Sequence, residues 1–267
     1  MQRITIGELV VLLVEPSPTQ QKIIASHLSH LGVTRIEWEQ SASAALERMR
    51  RANPDLVISA MHLPDMTGSE LIEKMRLSSD LGDIPFMLIS SETDVRYLTP
   101  LRQAGVIAIL PKPYELDQLK RALFTTVDYL EPDTEDLEDF PVGELRVLIV
   151  DDSITSRHHI SRLFNRLGIV KISEAVNGKQ AVELINNQYF DLVVTDYNMP
   201  EMDGKELTEY IRDQSKQASI PILMITSESD SGRLAAVQQS GVSAICDKPF
   251  DPKTIKRVLK TSVLNTN

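Results

Sequence analysis

A shift of 136 residues lays the first half of the chain on the second without a gap, and this repeat limits the fold more than any other feature. Leu9-Val10-Val11-Leu12-Leu13-Val14 falls on Leu145-Arg146-Val147-Leu148-Ile149-Val150, and Asp55-Leu56-Val57-Ile58 falls on Asp191-Leu192-Val193-Val194. Pro64, Gly68, Pro85, Gly105, Lys112 and Pro113 fall on Pro200, Gly204, Pro221, Gly241, Lys248 and Pro249. Chance does not hold so many turn and strand residues in one register. Each half is therefore one fold, and the chain carries it twice.

In the second half, short apolar runs alternate with amphipathic segments of helical period. Strands are predicted at about 145–150, 170–174, 190–195, 220–225 and 243–246, and helices at about 153–167, 178–187, 203–214, 230–240 and 252–263. The first, third and fourth strands are almost continuously apolar, as parallel strands covered on both faces must be. Ser153 and Asp203 are placed to cap helix N-termini, and Gly168 and Gly241 to end helices. Five βα units in succession predict an α/β domain: a doubly wound parallel sheet with helices on both faces.

Charge separates the halves. The net charge is −10, yet residues 128–144 alone hold eight acids and no base. That stretch, which contains Pro and Gly, reads as a linker between a domain at 1–127 and a domain at 145–267, and Asp128-Tyr129-Leu130 could extend the last helix before it. Neither half has the basic footprint of a nucleic-acid binder. The apolar run Leu9–Val14 stops at Glu15-Pro16, too short for a signal-peptide core, and no run approaches the length of a membrane span. One cysteine allows no intramolecular disulfide and no cysteine-based zinc site. These features predict a cytoplasmic protein that binds neither membrane nor nucleic acid.

Sites in open α/β sheets lie beyond the carboxyl ends of the strands. In the second half, Asp151 and Asp152 follow the first strand, Asp196 ends the third, Thr226 ends the fourth and Lys248 follows the fifth. Any one of these acids alone is better explained as a helix cap or a solvated loop residue. Together they bring three carboxylates close, which repel one another and resist desolvation. Magnesium suits such a set: it takes one or two carboxylates, keeps waters and accepts phosphate oxygens, while a lysine offsets further charge.

Val150-Asp151-Asp152-Ser153, Asp196-Tyr197-Asn198-Met199-Pro200, Met202-Asp203-Gly204, Thr226 and Lys248-Pro249-Phe250 resemble the response-regulator receiver family, in its CheY-like form. The resemblance covers essentially all of residues 145–263. It implies a flavodoxin-like (βα)5 fold, with Asp196 as phosphoacceptor, and with Asp152, Asp196 and the Asn198 backbone carbonyl holding Mg2+ while Asp151 acts mainly through water. It also implies that Thr226 bonds the phosphoryl group and Lys248 pairs with it. Asn198 and Glu228 match the pair found in CheY, which implies fast self-hydrolysis. The family usually has an aromatic residue three positions before the lysine. Here it is Ile245, which has no hydroxyl to reposition, and Cys246 beside it reads as a small core residue.

The same register shows what the first half has lost. Ala60 stands at the position of Asp196, Pro16 at Asp152, Glu15 at Asp151 and Ser90 at Thr226, while Lys112 keeps its place. Alanine accepts no phosphoryl group, and one glutamate makes a poor magnesium site. Strand alternation argues against Ser59 as a substitute, and His62 reads as an exposed loop residue. A Glu15–Lys112 pair that locks this domain is expected, against the alternative of a solvent-exposed pair contributing little. His158 and His159 are adjacent and cannot share one helix face. Trp38 is expected to pack.

The expected function is a two-component phosphorylation switch. It would receive phosphate from a histidine kinase or histidine phosphotransfer protein and signal to a downstream protein partner. No DNA-binding or catalytic output module is expected after residue 263, so the chain reads as a non-enzyme. Output through the first domain or through a homodimer stays open. The alternatives are a phosphate sink or relay intermediate, and an adaptor whose first domain does the binding.

Overall fold

The computed structural model describes residues 4–92, 95–132, 134, 137, 140–226, 241–248 and 252–264. The chain divides into two compact units, Met1–Pro132 and Asp133–Asn267.

The first unit runs β1 (Val10–Val14), α1 (Pro18–His30), β2 (Arg35–Glu39), α2 (Ala42–Arg51), β3 (Leu56–Ser59), α3 (Gly68–Leu77), β4 (Phe86–Ser90), α4 (Val95–Gln103), β5 (Ala108–Pro111) and α5 (Leu116–Leu130). Its strands are all parallel, in the order β2-β1-β3-β4-β5. The second unit runs β6 (Arg146–Val150), α6 (Ile154–Arg166), β7 (Lys171–Ala175), α7 (Gly178–Asn187), β8 (Leu192–Asp196), α8 (Gly204–Gln214), β9 (Ile222–Thr226), β10 (Ala244–Asp247) and α9 (Pro252–Val258). Its last turns, Leu259–Leu264, widen to π geometry. The order β10-β9-β8-β6-β7 is the same topology, again all parallel. The helix expected at 230–240 lies outside the described residues.

Alternation of side chains splits each central strand between two cores. Leu12 and Val14 face the α2–α4 side, with Leu71, Met75, Phe86 and Leu101. Leu9, Val11 and Leu13 face the α1–α5 side, with Ile24, Leu28, Leu119 and Leu123. Strands buried on both faces in this way leave only their ends free for polar chemistry, and in open α/β sheets it gathers at the carboxyl ends.

Caps hold the helix N-termini at that same end. Ser17 accepts from Gln20 N with Pro18 following it, Ser153 accepts from Ser156 N, and Asp203 forms a capping box with Glu206. Gly204 is dictated by space, since a Cβ there would lie 2.2 Å from the Asp196 carbonyl oxygen. Gly168, just after α6, has a φ of 87°, and Gly241 has a φ of 96°, left-handed conformations suited to glycine.

The expected linker at 128–144 gives up its first three residues to α5, which runs on to Leu130, and its last three form a 3-10 turn, Val142–Glu144, leading into β6. One expectation is corrected: Trp38 does not pack. It is 58% exposed on β2. The cause is local. β2 is an edge strand, and helix cover fails at its end. In the second unit the matching residue, Glu174, is held from α6 by Arg157 and Ser161. In the first unit those two positions are Gln21 and Ala25, and Gln21 turns its amide to the Glu15 carbonyl oxygen instead.

Candidate phosphoacceptor site

Strand register gathers the second unit's polar residues. Val150 pairs with Thr195, Asp196 with Ile225, and Thr226 with Asp247, so successive strands end side by side. Asp151, Asp196, Thr226 and Lys248 are all buried there, and Asp152 is exposed beside them. One oxygen from each of Asp151, Asp152 and Asp196 lies within 4.8 Å of the others. Among the described residues no other group of acids, histidines and cysteine is so placed. Asn198 lies two residues past β8 in an exposed loop. Glu228 lies outside the described residues. Ile245 is half-buried and Cys246 is buried.

Lys248 Nζ stands 2.7 Å from Asp151 Oδ2 but 3.4 Å from Asp196 Oδ1. The lysine is thus held mainly by Asp151. Two further residues escaped the sequence reading. Ser156 Oγ donates to Asp151 Oδ2 at 2.5 Å and accepts from Lys248 Nζ at 3.1 Å. Arg157 Nη1 donates to the carbonyl oxygens of Asp151 and Asp152 at 2.7 and 3.4 Å, while its Nε pairs with Glu174 at 3.1 Å. Both lie in the first turn of α6, where helical spacing from the Ser153 cap was the available signal.

The local charge does not balance. Three carboxylates face one ammonium, which leaves two negative charges. Burial pushes the Asp196 carboxyl up to about 6, Lys248 pulls it back, and Asp151 raises it further. Burial alone would lower the Lys248 ammonium, but Asp151 and Asp196 outweigh it and the net direction is upward. Asp151 has little capacity left for a metal: Oδ1 accepts Ser153 N at 2.9 Å, and Oδ2 takes both Ser156 and Lys248. Asp152 and Asp196 remain as direct oxygen donors. A divalent cation with oxygen ligands fits this set in charge and in chemistry.

The family model for the response regulator receiver domain matches the chain twice, over residues 11–124 and 147–260. The chain belongs to the response regulator receiver family. The chemotaxis protein CheY1 of Helicobacter pylori is 38% identical over 124 residues, covering 46% of this chain and 99% of that protein. A CheY homolog of Campylobacter jejuni is 37% identical over 123 residues, covering 46% and 94%. Among solved structures, the chemotaxis protein CheY4 of Vibrio cholerae is 32% identical, covers 44% of this chain and 98% of its own, and gives a TM-score of 0.41. The protein is a tandem of two CheY-like receiver domains, the make-up of a two-component response regulator. No helix among the described residues is long and apolar enough to cross a membrane.

The first receiver domain keeps the frame without the three carboxylates. Ala60 is buried just past β3, where Asp196 ends β8. Its neighbour Ser59 is fully buried and donates to the Ala60 carbonyl oxygen at 2.8 Å, as Thr195 does to that of Asp196 at 2.9 Å. The Ser59 hydroxyl is thereby spent on the backbone. Lys112 Nζ reaches Glu15 Oε2 at 3.1 Å, and Glu15 Oε1 accepts Ser17 N at 3.1 Å. The Glu15 side chain is 6% exposed and that of Lys112 26%, so this is a partly buried pair and not a solvated one. Ser90 is buried and its Oγ accepts Glu92 N. His62 is exposed in the loop after β3.

Proposed function

We propose that the second receiver domain is phosphorylated on Asp196 by a histidine kinase or a histidine phosphotransfer protein. The protein then signals through contacts with other proteins. The observation that carries this reading is the buried Asp196 carboxylate, raised to about 6 and only partly answered by Lys248. It is a desolvated nucleophile beside a cation.

An Asp196 oxygen supplies the electron pair for the new O–P bond, and the phosphohistidine P–N bond breaks with its pair left on the imidazole nitrogen. Lys248 directs an N–H at a phosphoryl oxygen, and the Thr226 hydroxyl donates to another. Asp152 and Asp196 would hold magnesium, which when bound offsets charge on the transferring group. Phosphorylation adds about −1.5 to −2 of charge to the pocket. That charge gives the remaining Lys248 hydrogen and the Thr226 hydroxyl a new acceptor.

Incubation with phosphoramidate and magnesium should label the protein, and Asp196→Ala should not be labelled. Label that persists in that variant would put the acceptor elsewhere.

A second reading, an adaptor role for the first domain, is favoured by one observation. That domain retains both cores and a partly buried Glu15–Lys112 pair although its acceptor is gone. A fold kept without its chemistry is suited to binding.

A further inference from the structure

We infer that Ser156 is a positioning residue for phosphoryl transfer, aiming the Lys248 ammonium at the incoming phosphoryl group. This rests on the Asp196 reading above and concerns how that same site works.

An ammonium has three hydrogens and no freedom to leave one unpaired when buried. Lys248 is 3% exposed. One hydrogen goes to Asp151 Oδ2 at 2.7 Å and one to Ser156 Oγ at 3.1 Å. Among the described residues the third has only Asp196 Oδ1 within reach, at 3.4 Å, too far for a strong bond. With two hydrogens fixed, tetrahedral geometry fixes the third. It is the one left for Asp196 and for the phosphoryl oxygens that arrive there.

Ser156 is suited to this by place and polarity. It is 2% exposed, one turn into α6, and its single proton is committed to Asp151 Oδ2. Its lone pairs can therefore only accept, and Lys248 is the donor beside them. The hydroxyl also occupies Asp151 Oδ2, which keeps that carboxylate turned to the lysine. Ser156 thus holds both members of the pair at once. In the first domain the matching residue is Gln20, and the lysine there meets a glutamate at the edge of solvent. The serine accompanies the copy that keeps its acceptor.

Without the hydroxyl, one ammonium hydrogen loses its partner and the group turns. Stabilisation of the transferring phosphoryl group then falls, because only donors already aimed at it help. Magnesium affinity should hardly change, since the partners of Ser156 are Asp151 and Lys248.

The test is the rate at which acetyl phosphate labels Asp196 across a magnesium titration in the full chain. In that reaction the Asp196 oxygen forms the O–P bond, and the P–O bond to acetate breaks with its electron pair on acetate. Ser156→Ala should slow labelling roughly ten-fold, the scale of losing one hydrogen bond to a charged group, with the magnesium dependence unmoved. Ser156→Cys, which keeps a weak donor and acceptor, should give an intermediate rate. In a Lys248→Met background, Ser156→Ala should cause no further loss, because the two act as a unit. A wild-type rate in Ser156→Ala, or an equal slowing in both backgrounds, overturns the inference and leaves Asp196 as acceptor. Absence of labelling in the unaltered protein overturns the acceptor assignment and the inference with it.

Discussion

Ionised Asp196 should cost the second domain stability, and Asp196→Asn should give it back. Burial holds the carboxyl at about 6 against an ordinary 3.8. At about 1.36 kcal/mol per pH unit, that difference makes the ionised form about 3 kcal/mol unfavourable at neutral pH, before relaxation. Asparagine keeps the shape and drops the charge, so at pH 7.5 with metal chelated the variant should be more stable by up to that amount. The sign follows from proton counting. Between pH 3.8 and about 6 the folded state holds a proton that the unfolded state has lost. Wild-type stability therefore falls relative to the variant as pH rises through that window. Below the window the two should coincide, and above it the gap should be full. Magnesium should narrow the gap by stabilising the wild type alone. Urea unfolding provides the assay with an internal control, because Trp38 is the one tryptophan and sits in the first domain. Circular dichroism should show a shifted transition that Trp38 fluorescence does not share. An unchanged or lowered midpoint at pH 7.5 would refute the reasoning, because Lys248 would then fully compensate the acceptor.

Asp152→Ala should remove magnesium binding from the second domain, read by metal-dependent chemical shifts, since Asp151 is already engaged and Asp196 alone rarely holds the ion. Ala60→Asp should stay unlabelled by acetyl phosphate, because Pro16 leaves a metal ligand missing and the new carboxylate meets Lys112; adding Pro16→Asp should restore magnesium binding and slow labelling, both visible by mass spectrometry and titration. Gly204→Ala should destabilise the second domain by about 1–3 kcal/mol in denaturant unfolding, since the added methyl meets backbone that cannot yield.

Much of this was legible in the sequence because it depends on local rules. Central strands such as Leu192–Asp196 announce themselves by burial on both faces, and Ser153 and Asp203 announce the helix starts that follow strand ends. The site was legible because the polar residues stand where apolar runs stop. Residues whose role depends on a partner far along the chain were not. Ser156 looks like any first-turn serine until Lys248, 92 residues on, is brought to 3.1 Å. Trp38 looks like a strand residue to be packed, and only the sheet order shows that β2 is an edge. The Glu15–Lys112 pair was legible because the missing aspartate left the lysine one acid to meet. Its burial was not, because that depends on how Gln21 and Ser17 close the loop.

The central claim is that one fold occurs twice and only the second copy carries the reaction. Saturating the full chain with acetyl phosphate and magnesium, trapping acyl phosphate by borohydride reduction and mapping the product by mass spectrometry tests it directly. The account predicts one phosphoryl group per chain, on Asp196. Two groups per chain, or any label within residues 1–127, would contradict it.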